Sequence, residues 1–304
     1  MNKSTRAHAA ILLANLIYGA NFSIAKVAMP EYIRPSGFIL LRVIVALIMF
    51  WIFSKMTDKN EKIAAKDHVL LFMLGMFGVA INQLLFFEGL SRTSNINAAL
   101  IMTSTPIMVM AAASVLHKER ISWARGLGIV LGVGGASSLI LARKDVSGNA
   151  TWQGDLMILI NAASYAIFIV GSKPLMKKYS PWLVIRWTFF YGLLLVLPFG
   201  YQQVSLIEWE TFTLPVWLAT AYVIIATTFF AYLFNTYGLH HLSASVVSFY
   251  IYLQPVFATL ISLLITHERV TVVQLIACLL IFSGVYLVNK RSGGVDDNVP
   301  LPKE

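Results

Sequence analysis

Long apolar runs, each of about 20 residues and separated by short polar segments, limit the folds open to this sequence more than any other feature. A run of that length crosses the hydrocarbon core of a bilayer as a helix. Because hydrophobic residues make up 58% of the chain and charged residues only 12%, a soluble domain is excluded. We therefore predict an all-α integral membrane protein with ten transmembrane helices, at about residues 9–28, 36–55, 69–89, 94–116, 121–142, 155–172, 181–200, 213–237, 243–265 and 270–289.

The basic residues predict the orientation of the chain in the membrane. The formal net charge is +9, but Lys and Arg lie at the ends of the apolar runs, where anionic lipid headgroups are, and do not line one helix face. We therefore expect the lipid bilayer, and no nucleic acid, as a partner. One set of alternate loops carries most of the Lys and Arg, so both termini are expected in the cytoplasm. The loops of the opposite side contain only Arg34, Arg92, Arg143, Lys144 and Arg269.

The second half of the sequence repeats the first. Pro106 and Pro255 are 149 positions apart, and earlier in each half "YGANFSIAK" (18–26) matches "YAIFIVGSK" (165–173) more loosely. Five spans per repeat place the second copy upside down relative to the first, as in many secondary transporters. We expect repeats at 1–146 and 147–290 and a disordered cytoplasmic tail at 291–304. The separation of 149 also pairs Gly89 with Gly238, Ser94 with Ser243, Glu119 with Glu268, Arg120 with Arg269, and Gly135 with Gly284.

Several of these stretches resemble one transporter family. They are "IYGANFSIAK" in the first span, the proline of the fourth span, and "HKERISWARGLGIVLGVGG" with its echo "THERVTVVQLIACLLIFSGVYL". This pattern resembles the EamA-type branch of the drug/metabolite transporter superfamily over nearly the whole chain. The resemblance implies an exporter in the bacterial inner membrane that carries amino acids, other metabolites or drugs. We expect it to need no cofactor, and a monomer is one option for its oligomeric state. Tyr18 stands where the family usually has Trp, and Glu88 where a neutral residue is common, so the substrate stays open.

Polar residues deep within the spans are the candidate substrate contacts, because a transporter of this plan binds its substrate near the midplane of the bilayer. The alternative is that these amides and hydroxyls only join helices through hydrogen bonds. We expect Lys26 either to bind a substrate carboxylate or to reach the membrane surface, and Arg42 and Arg186 to reach that surface. The candidates are Asn15, Tyr18, Asn21, Lys26, Asn82, Gln83, Asn161, Tyr165, Tyr232, Asn235, Tyr250 and Gln254.

Matched residues of the two repeats are candidate gates. Pro106 and Pro255 each remove a backbone donor, which allows a helix to bend during gating or leaves it with a fixed kink. Glu119 and Glu268 precede the fifth and tenth spans, where a carboxylate either closes a gate or caps the positive end of the helix dipole. Glu88 is predicted to be the one carboxylate placed to titrate near the membrane, as a proton site or in a pair with Arg92 one turn later.

The sequence favours transport over other activities. Buried His and Asp are not expected in the spans, so neither a metal cluster nor a catalytic base is predicted, although an intramembrane enzyme and a receptor or scaffold remain as alternatives. A glycine-rich face on the fifth span predicts close packing against another helix. Its residues are Gly126, Gly128, Gly132, Gly134 and Gly135. We predict a secondary transporter that exports small amphipathic metabolites, amino acids or related compounds, by alternating access between the repeats.

Overall fold

Every regular element in the described part of the chain is helical. The computed structural model describes residues 3–57, 62–117, 122–141, 151–242, 250–265, 267 and 269–289. We number the main helices α1 (Lys3–Ala28), α2 (Pro35–Thr57), α3 (Asp67–Gly75, Met76–Ile81 and Asn82–Ser91), α4 (Asn95–Met102 and Thr105–His117), α5 (Trp123–Leu141), α6 (Trp152–Lys178), α7 (Pro181–Ser205), α8 (Leu214–Ala221, Tyr222–Phe230 and Ala231–His241), α9 (Leu253–Ile265) and α10 (Val272–Asn289).

These helices confirm the predicted membrane fold. Within the described residues, α1 to α8 are long and apolar enough to cross a bilayer, while Leu253–Ile265 and Val272–Leu287 are shorter apolar helices. Large apolar side chains such as Leu264 and Leu279 are exposed on the outside of the bundle. Such a surface suits hydrocarbon and not water, because a soluble protein of this size does not expose so many large apolar residues.

Helix starts are fixed by local hydrogen bonds. The Ser94 hydroxyl accepts the backbone N–H of Asn97 at 3.1 Å before α4, and the Thr151 hydroxyl accepts that of Gly154 at 3.3 Å before α6. Ser180 caps α7 in the same way, and Pro181 follows at the first helical position. These side chains satisfy N–H groups that have no partner within the helix, which is why the chain turns into helix at these residues.

The helices pack in pairs that obey an internal twofold symmetry. Helix α3 packs against α6, and its repeat mate α8 packs against α1, the mate of α6. In the same way α4 contacts α6, and α9 contacts α1. Two further pairs, α5 with α10 and α2 with α7, each join two repeat mates directly. This arrangement is the one expected of two repeats related by a twofold axis in the membrane plane.

Glycines allow the close contact between α5 and α10. A Cβ atom on Gly284 would lie 2.6 Å from the backbone oxygen of Gly128, and one on Gly135 would lie 3.0 Å from the backbone oxygen of Ala277. Ala277 is the repeat mate of Gly128, as Gly284 is of Gly135, so the contact is made twice by matched residues. The structure confirms the packing role predicted for the glycine-rich face at Gly128, Gly132 and Gly135, whereas Gly134 faces open space.

Matched irregularities interrupt the helices of both repeats. The π-helical segments Met76–Ile81 in α3 and Tyr222–Phe230 in α8 overlap when the repeats are aligned. A turn at Thr103 breaks α4 shortly before Pro106, and a turn at its repeat mate Tyr252 lies shortly before Pro255. Such departures from the α-helix occur often at functional sites and provide points where a helix can bend.

Side-chain hydroxyls support the broken helix at the predicted gate of α4. The hydroxyl of Thr103 donates to the carbonyl of Ala99 at 2.9 Å, and the hydroxyl of Thr105 donates to that of Met102 at 2.6 Å. The second bond satisfies the carbonyl of Met102, which lies four residues before Pro106 and receives no N–H from it. The gating role of both prolines stays a prediction. Glu119, Glu268 and the tail 291–304 lie outside the described residues.

Candidate functional site

Two of the candidate substrate residues meet between α1 and α9. Asn15 lies near the middle of α1 and is 2% exposed. Its side-chain oxygen accepts a hydrogen bond from the Nε2 of Gln254 at 2.8 Å, and its Nδ2 donates to the backbone of Ile11 at 2.8 Å. The hydroxyl of Tyr250, which lies shortly before α9, is 2.9 Å from the Nδ1 of His8 on α1. Polar side chains therefore join the first helix of one repeat to the fourth helix of the other.

A second pair of candidates joins α3 to α6. The Nδ2 of Asn161 donates to the backbone oxygen of Asn82 at 2.6 Å, and the Nδ2 of Asn82 donates to that of Asn161 at 3.3 Å. Asn82 directly follows the π-helical segment of α3, which brings its backbone within reach of the neighbouring helix. With this reciprocal contact the two amides join α3 to α6, which is the role that the sequence analysis gave as the alternative to substrate binding.

Three candidates retain a buried oxygen without a donor. Among the described residues, no group donates a hydrogen bond to the side-chain oxygens of Asn21, Gln83 and Asn161. These residues lie on α1, α3 and α6, the helices that form the polar contacts. Because buried polar atoms almost always have partners, amide oxygens of this kind are available to accept hydrogen bonds from a solute when the helices move.

Two other candidates, Asn235 and Tyr165, have partners outside the Asn15–Gln254 and Asn82–Asn161 pairs. Asn235 donates to the backbone of Ala231 in its own helix at 2.9 Å, and Tyr165 stacks on Phe168 with ring centroids 6.0 Å apart. The side chain of Tyr232 lies outside the described part. Sequence reasoning missed Tyr222, whose hydroxyl donates to the backbone oxygen of Ile17 at 2.7 Å. Its position within an unbroken apolar run gave no signal of this contact.

A buried carboxylate corrects one expectation from the sequence. Asp155 is fully buried, although no buried Asp was predicted. Its Oδ1 accepts a hydrogen bond from the Thr93 hydroxyl, and its Oδ2 accepts one from the Nδ2 of Asn97 at 3.2 Å. The Nε2 of Gln274 donates to the Oδ1 of Asn97 at 2.7 Å. We call Thr93, Asn97, Asp155 and Gln274 the outer cluster, since they lie at helix ends predicted to face outward.

Lys26 and Glu88 have protein partners close to the outer cluster. The ammonium of Lys26 donates to the backbone oxygen of Thr93, which directs it toward this cluster. Glu88 accepts from the Nη2 of Arg92 at 2.9 Å and from the Ser36 hydroxyl at 3.1 Å. The pairing that the sequence offered as one alternative for Glu88 is therefore present, while substrate binding by Lys26 and proton transfer by Glu88 stay predictions.

Polar contacts also join the repeats at the opposite end of the bundle. Asp67 of α3 accepts hydrogen bonds from the Lys178 ammonium and, at 2.7 Å, from the Tyr179 hydroxyl. The Nδ1 of His68 is 2.9 Å from the hydroxyl of Tyr191. Unlike the outer cluster, the ion pair here is accessible to solvent, where ion pairs contribute little to stability.

The position of Arg42 corrects a second expectation. Instead of extending to the membrane surface, its Nε donates to the hydroxyl of Thr228 at 3.2 Å, within the π-helical segment of α8. Its guanidinium lies over the ring of Phe87, with the Cζ atom 5.8 Å from the ring centroid. Arg186 on α7 lies over the ring of Trp51 at 5.0 Å. Arg42 thus points between α3 and α8.

Two five-helix repeats that enclose buried polar contacts define a multi-pass membrane protein of the two-repeat class. The sequence pattern of the EamA-like transporter family matches the chain twice, at residues 5–141 and 152–290, and the chain belongs to that family.

Relatives and a solved structure agree with this assignment. An uncharacterized transporter of Bacillus subtilis (strain 168), YyaM, is 28% identical over 280 residues, covering 89% of each chain. An uncharacterized transporter of Archaeoglobus fulgidus is 24% identical and covers 96% of this chain and 99% of its own. A protein of Streptantibioticus cattleyicolor named "Probable terminal-alkyne amino-acid exporter" is 22% identical, covering 96% of each. A crystal structure with 17% identity shares the fold at a TM-score of 0.58, covering 94% and 96%.

Proposed function

We propose that this membrane transporter exports small amphipathic metabolites, amino acids or related compounds, across the bacterial inner membrane by alternating access between its repeats. Transport, and not catalysis or a receptor role, is favoured by membership of a transporter family. The proposed repeats occupy 1–146 and 147–290, with both termini in the cytoplasm. The relative named as an amino-acid exporter supports the substrate class and the direction, at low identity.

The observation that carries this proposal is the group of amide oxygens without donors on α1, α3 and α6. Asn21, Gln83 and Asn161 offer neutral acceptors to an ammonium or amide group. Aromatic rings lie on the same helices, with Phe22 and Phe86 in an edge-to-face contact at 5.6 Å. Polar acceptors beside aromatic rings suit a solute with one polar and one apolar end.

A symmetric distribution of contacts supports alternating access. Opening toward one side requires the outer cluster to separate, and opening toward the other requires the contacts of Asp67 and His68 to separate. Both sets connect residues of different repeats, so the two repeats must move relative to each other. The matched breaks before Pro106 and Pro255 provide places where helices can bend in either direction.

Counterflow into proteoliposomes tests this function. Purified protein in liposomes loaded with one unlabelled solute is expected to accumulate the same labelled solute from outside, while protein-free liposomes are not. The panel contains the twenty amino acids, their carboxamides, phenethylamine, tyramine, uridine and adenosine. Exchange of any panel member by the protein supports transport, and exchange of none contradicts the proposed function.

We expect Gln254→Ala and Tyr250→Ala to reduce counterflow while the protein still folds. Gln254 contacts Asn15 near the middle of α1, so loss of its amide changes the polar groups between α1 and α9. Gln202→Ala on the exposed end of α7 is the matched control and should leave counterflow unchanged. Size-exclusion profiles in detergent separate a transport defect from misfolding. Normal flux in both variants would remove these residues from the site.

A further inference from the structure

Arg42 is a cation set deep in a membrane helix. It is the eighth residue of α2, so its Cα lies about 10 Å along the helix from Pro35. Its neighbours Phe87 and Thr228 belong to α3 and α8, and Tyr18 of α1 lies within electrostatic range. Charged side chains in such positions are costly and usually face the bundle interior or a water-filled space.

The guanidinium of Arg42 keeps most of its donors free. Among the described residues, the hydroxyl of Thr228 is its only hydrogen-bond acceptor, and that bond uses Nε alone. No carboxylate of the described chain lies within 4.0 Å of it. The Arg42 side chain is half-buried, and the described residues offer no acceptor to its Nη1 and Nη2 groups. These two groups can therefore donate to an acceptor on a bound solute.

Three other cations near the ends of the helices already have partners. Arg92 pairs with Glu88 at 2.9 Å, Lys178 pairs with Asp67, and Lys26 donates to the backbone of Thr93. Arg42 alone in this comparison combines a deep position with a free pair of donors. That pair matches the two oxygens of a carboxylate, which a guanidinium binds through two parallel hydrogen bonds.

We infer that Arg42 binds the carboxylate of the transported solute, with its guanidinium held over the buried ring of Phe87. The inference rests on the proposed function and narrows its substrate class to organic acids, including zwitterionic amino acids. One free guanidinium supplies one positive charge, which suits a single carboxylate better than a doubly charged phosphate ester. The amide oxygens of Asn21, Gln83 and Asn161 would then accept from an ammonium group.

The experiment compares acids with their carboxamides in the counterflow assay. The amino acid of the panel that exchanges fastest and its own carboxamide are the two probes. For the wild type we expect the half-saturating concentration of the acid to be about ten- to hundredfold lower than that of the amide, because charge-assisted hydrogen bonds are lost with the amide. This comparison needs no substitution, so it holds even if a variant fails to fold.

Substitutions then assign the preference to Arg42. Arg42→Gln should raise the half-saturating concentration of the acid about ten- to hundredfold and leave that of the amide nearly unchanged. Arg42→Lys should lie between, since it keeps the charge without the paired donors. Arg34→Gln, which removes an exposed arginine at the predicted outer side, is the control and should match the wild type.

The outcomes separate this inference from the function it rests on. A wild type that exchanges only amines, carboxamides or nucleosides overturns the carboxylate site and leaves transport standing. So does an Arg42→Gln variant that shifts acid and amide equally, which is the behaviour of a residue that only joins α2 to α8. Absence of counterflow for every panel member contradicts the proposed function itself.

Discussion

Alanine in place of Asp155 is expected to lower the free energy of unfolding by about 2–4 kcal/mol. The carboxylate is fully buried and accepts hydrogen bonds from Thr93 and Asn97. Its removal leaves those donors without an acceptor in a place that water does not reach, and a buried donor without a partner is costly. Asp155→Asn should be less harmful, because its side-chain oxygen can still accept one of the two bonds.

The melting temperature of the detergent-solubilised protein measures this effect. We expect Asp155→Ala to lower it by about 5 °C or more. Asp67→Ala is the matched control, since Asp67 also accepts bonds from two side chains near a helix end but does so in solvent. The control should change the melting temperature much less. Equal shifts in the two variants would show that the outer cluster does not hold the repeats together.

A methyl group added at Gly284 is expected to destabilise the protein by about 1–3 kcal/mol. The new Cβ would lie 2.6 Å from the backbone oxygen of Gly128 and 2.7 Å from the backbone nitrogen of Gly132. Both atoms belong to a helix backbone that cannot move aside alone, so α5 and α10 must separate. Gly284→Leu should separate them further and reduce the yield of folded protein in the membrane.

Gly134→Ala provides the control for the same helix pair. No heavy atom lies within 4 Å of a Cβ at Gly134, so alanine fits there and improves the helix propensity by up to about 1 kcal/mol. Gly135→Ala, which changes the repeat mate of Gly284, should behave like Gly284→Ala. Melting temperatures of the three variants test the symmetry of the contact. A Gly284→Ala protein as stable as Gly134→Ala would contradict the close approach of α5 and α10.

The helices and the repeat could be predicted because they depend on properties that the sequence displays directly. Apolar runs long enough to span a bilayer are visible as such, and Pro106 with Pro255 and Gly135 with Gly284 reveal the repeat by spacing alone. The same glycines predicted the tight α5 contact. The π-helical segments were not predictable, since Met76–Ile81 reads as an ordinary part of an apolar helix.

The partners of polar side chains were harder to predict, because they depend on which helices become neighbours. Asn15 and Gln254 are 239 positions apart and meet only through the pairing of α1 with α9. Asp155 reads as a solvent-exposed residue in the first turn of a helix, yet it is buried and bonded to Asn97, which in turn accepts from Gln274 of α10. The sequence alone predicts that the Arg42 side chain extends to the membrane surface, and only its contacts with Thr228 and Phe87 show that it points into the bundle.

The central claim is that two matched repeats face opposite sides of the membrane, and labelling of matched cysteines tests it most directly. Lys66 and Thr213 immediately precede α3 and its mate α8, whereas Arg92 and His241 lie at the other ends of these helices, and all four are exposed. Each is replaced singly by cysteine in a Cys278→Ser background, since Cys278 is the one cysteine of the chain. Intact cells are then treated with a membrane-impermeant maleimide.

Cysteines at 213 and 92 are expected to react from outside, and those at 66 and 241 only after the cells are opened, because we propose that the basic loops face the cytoplasm. In each matched pair, 66 with 213 and 92 with 241, one cysteine is then outside the cell and the other inside. A pair that labels from the same side would contradict the opposite orientation of the repeats, and with it alternating access between them.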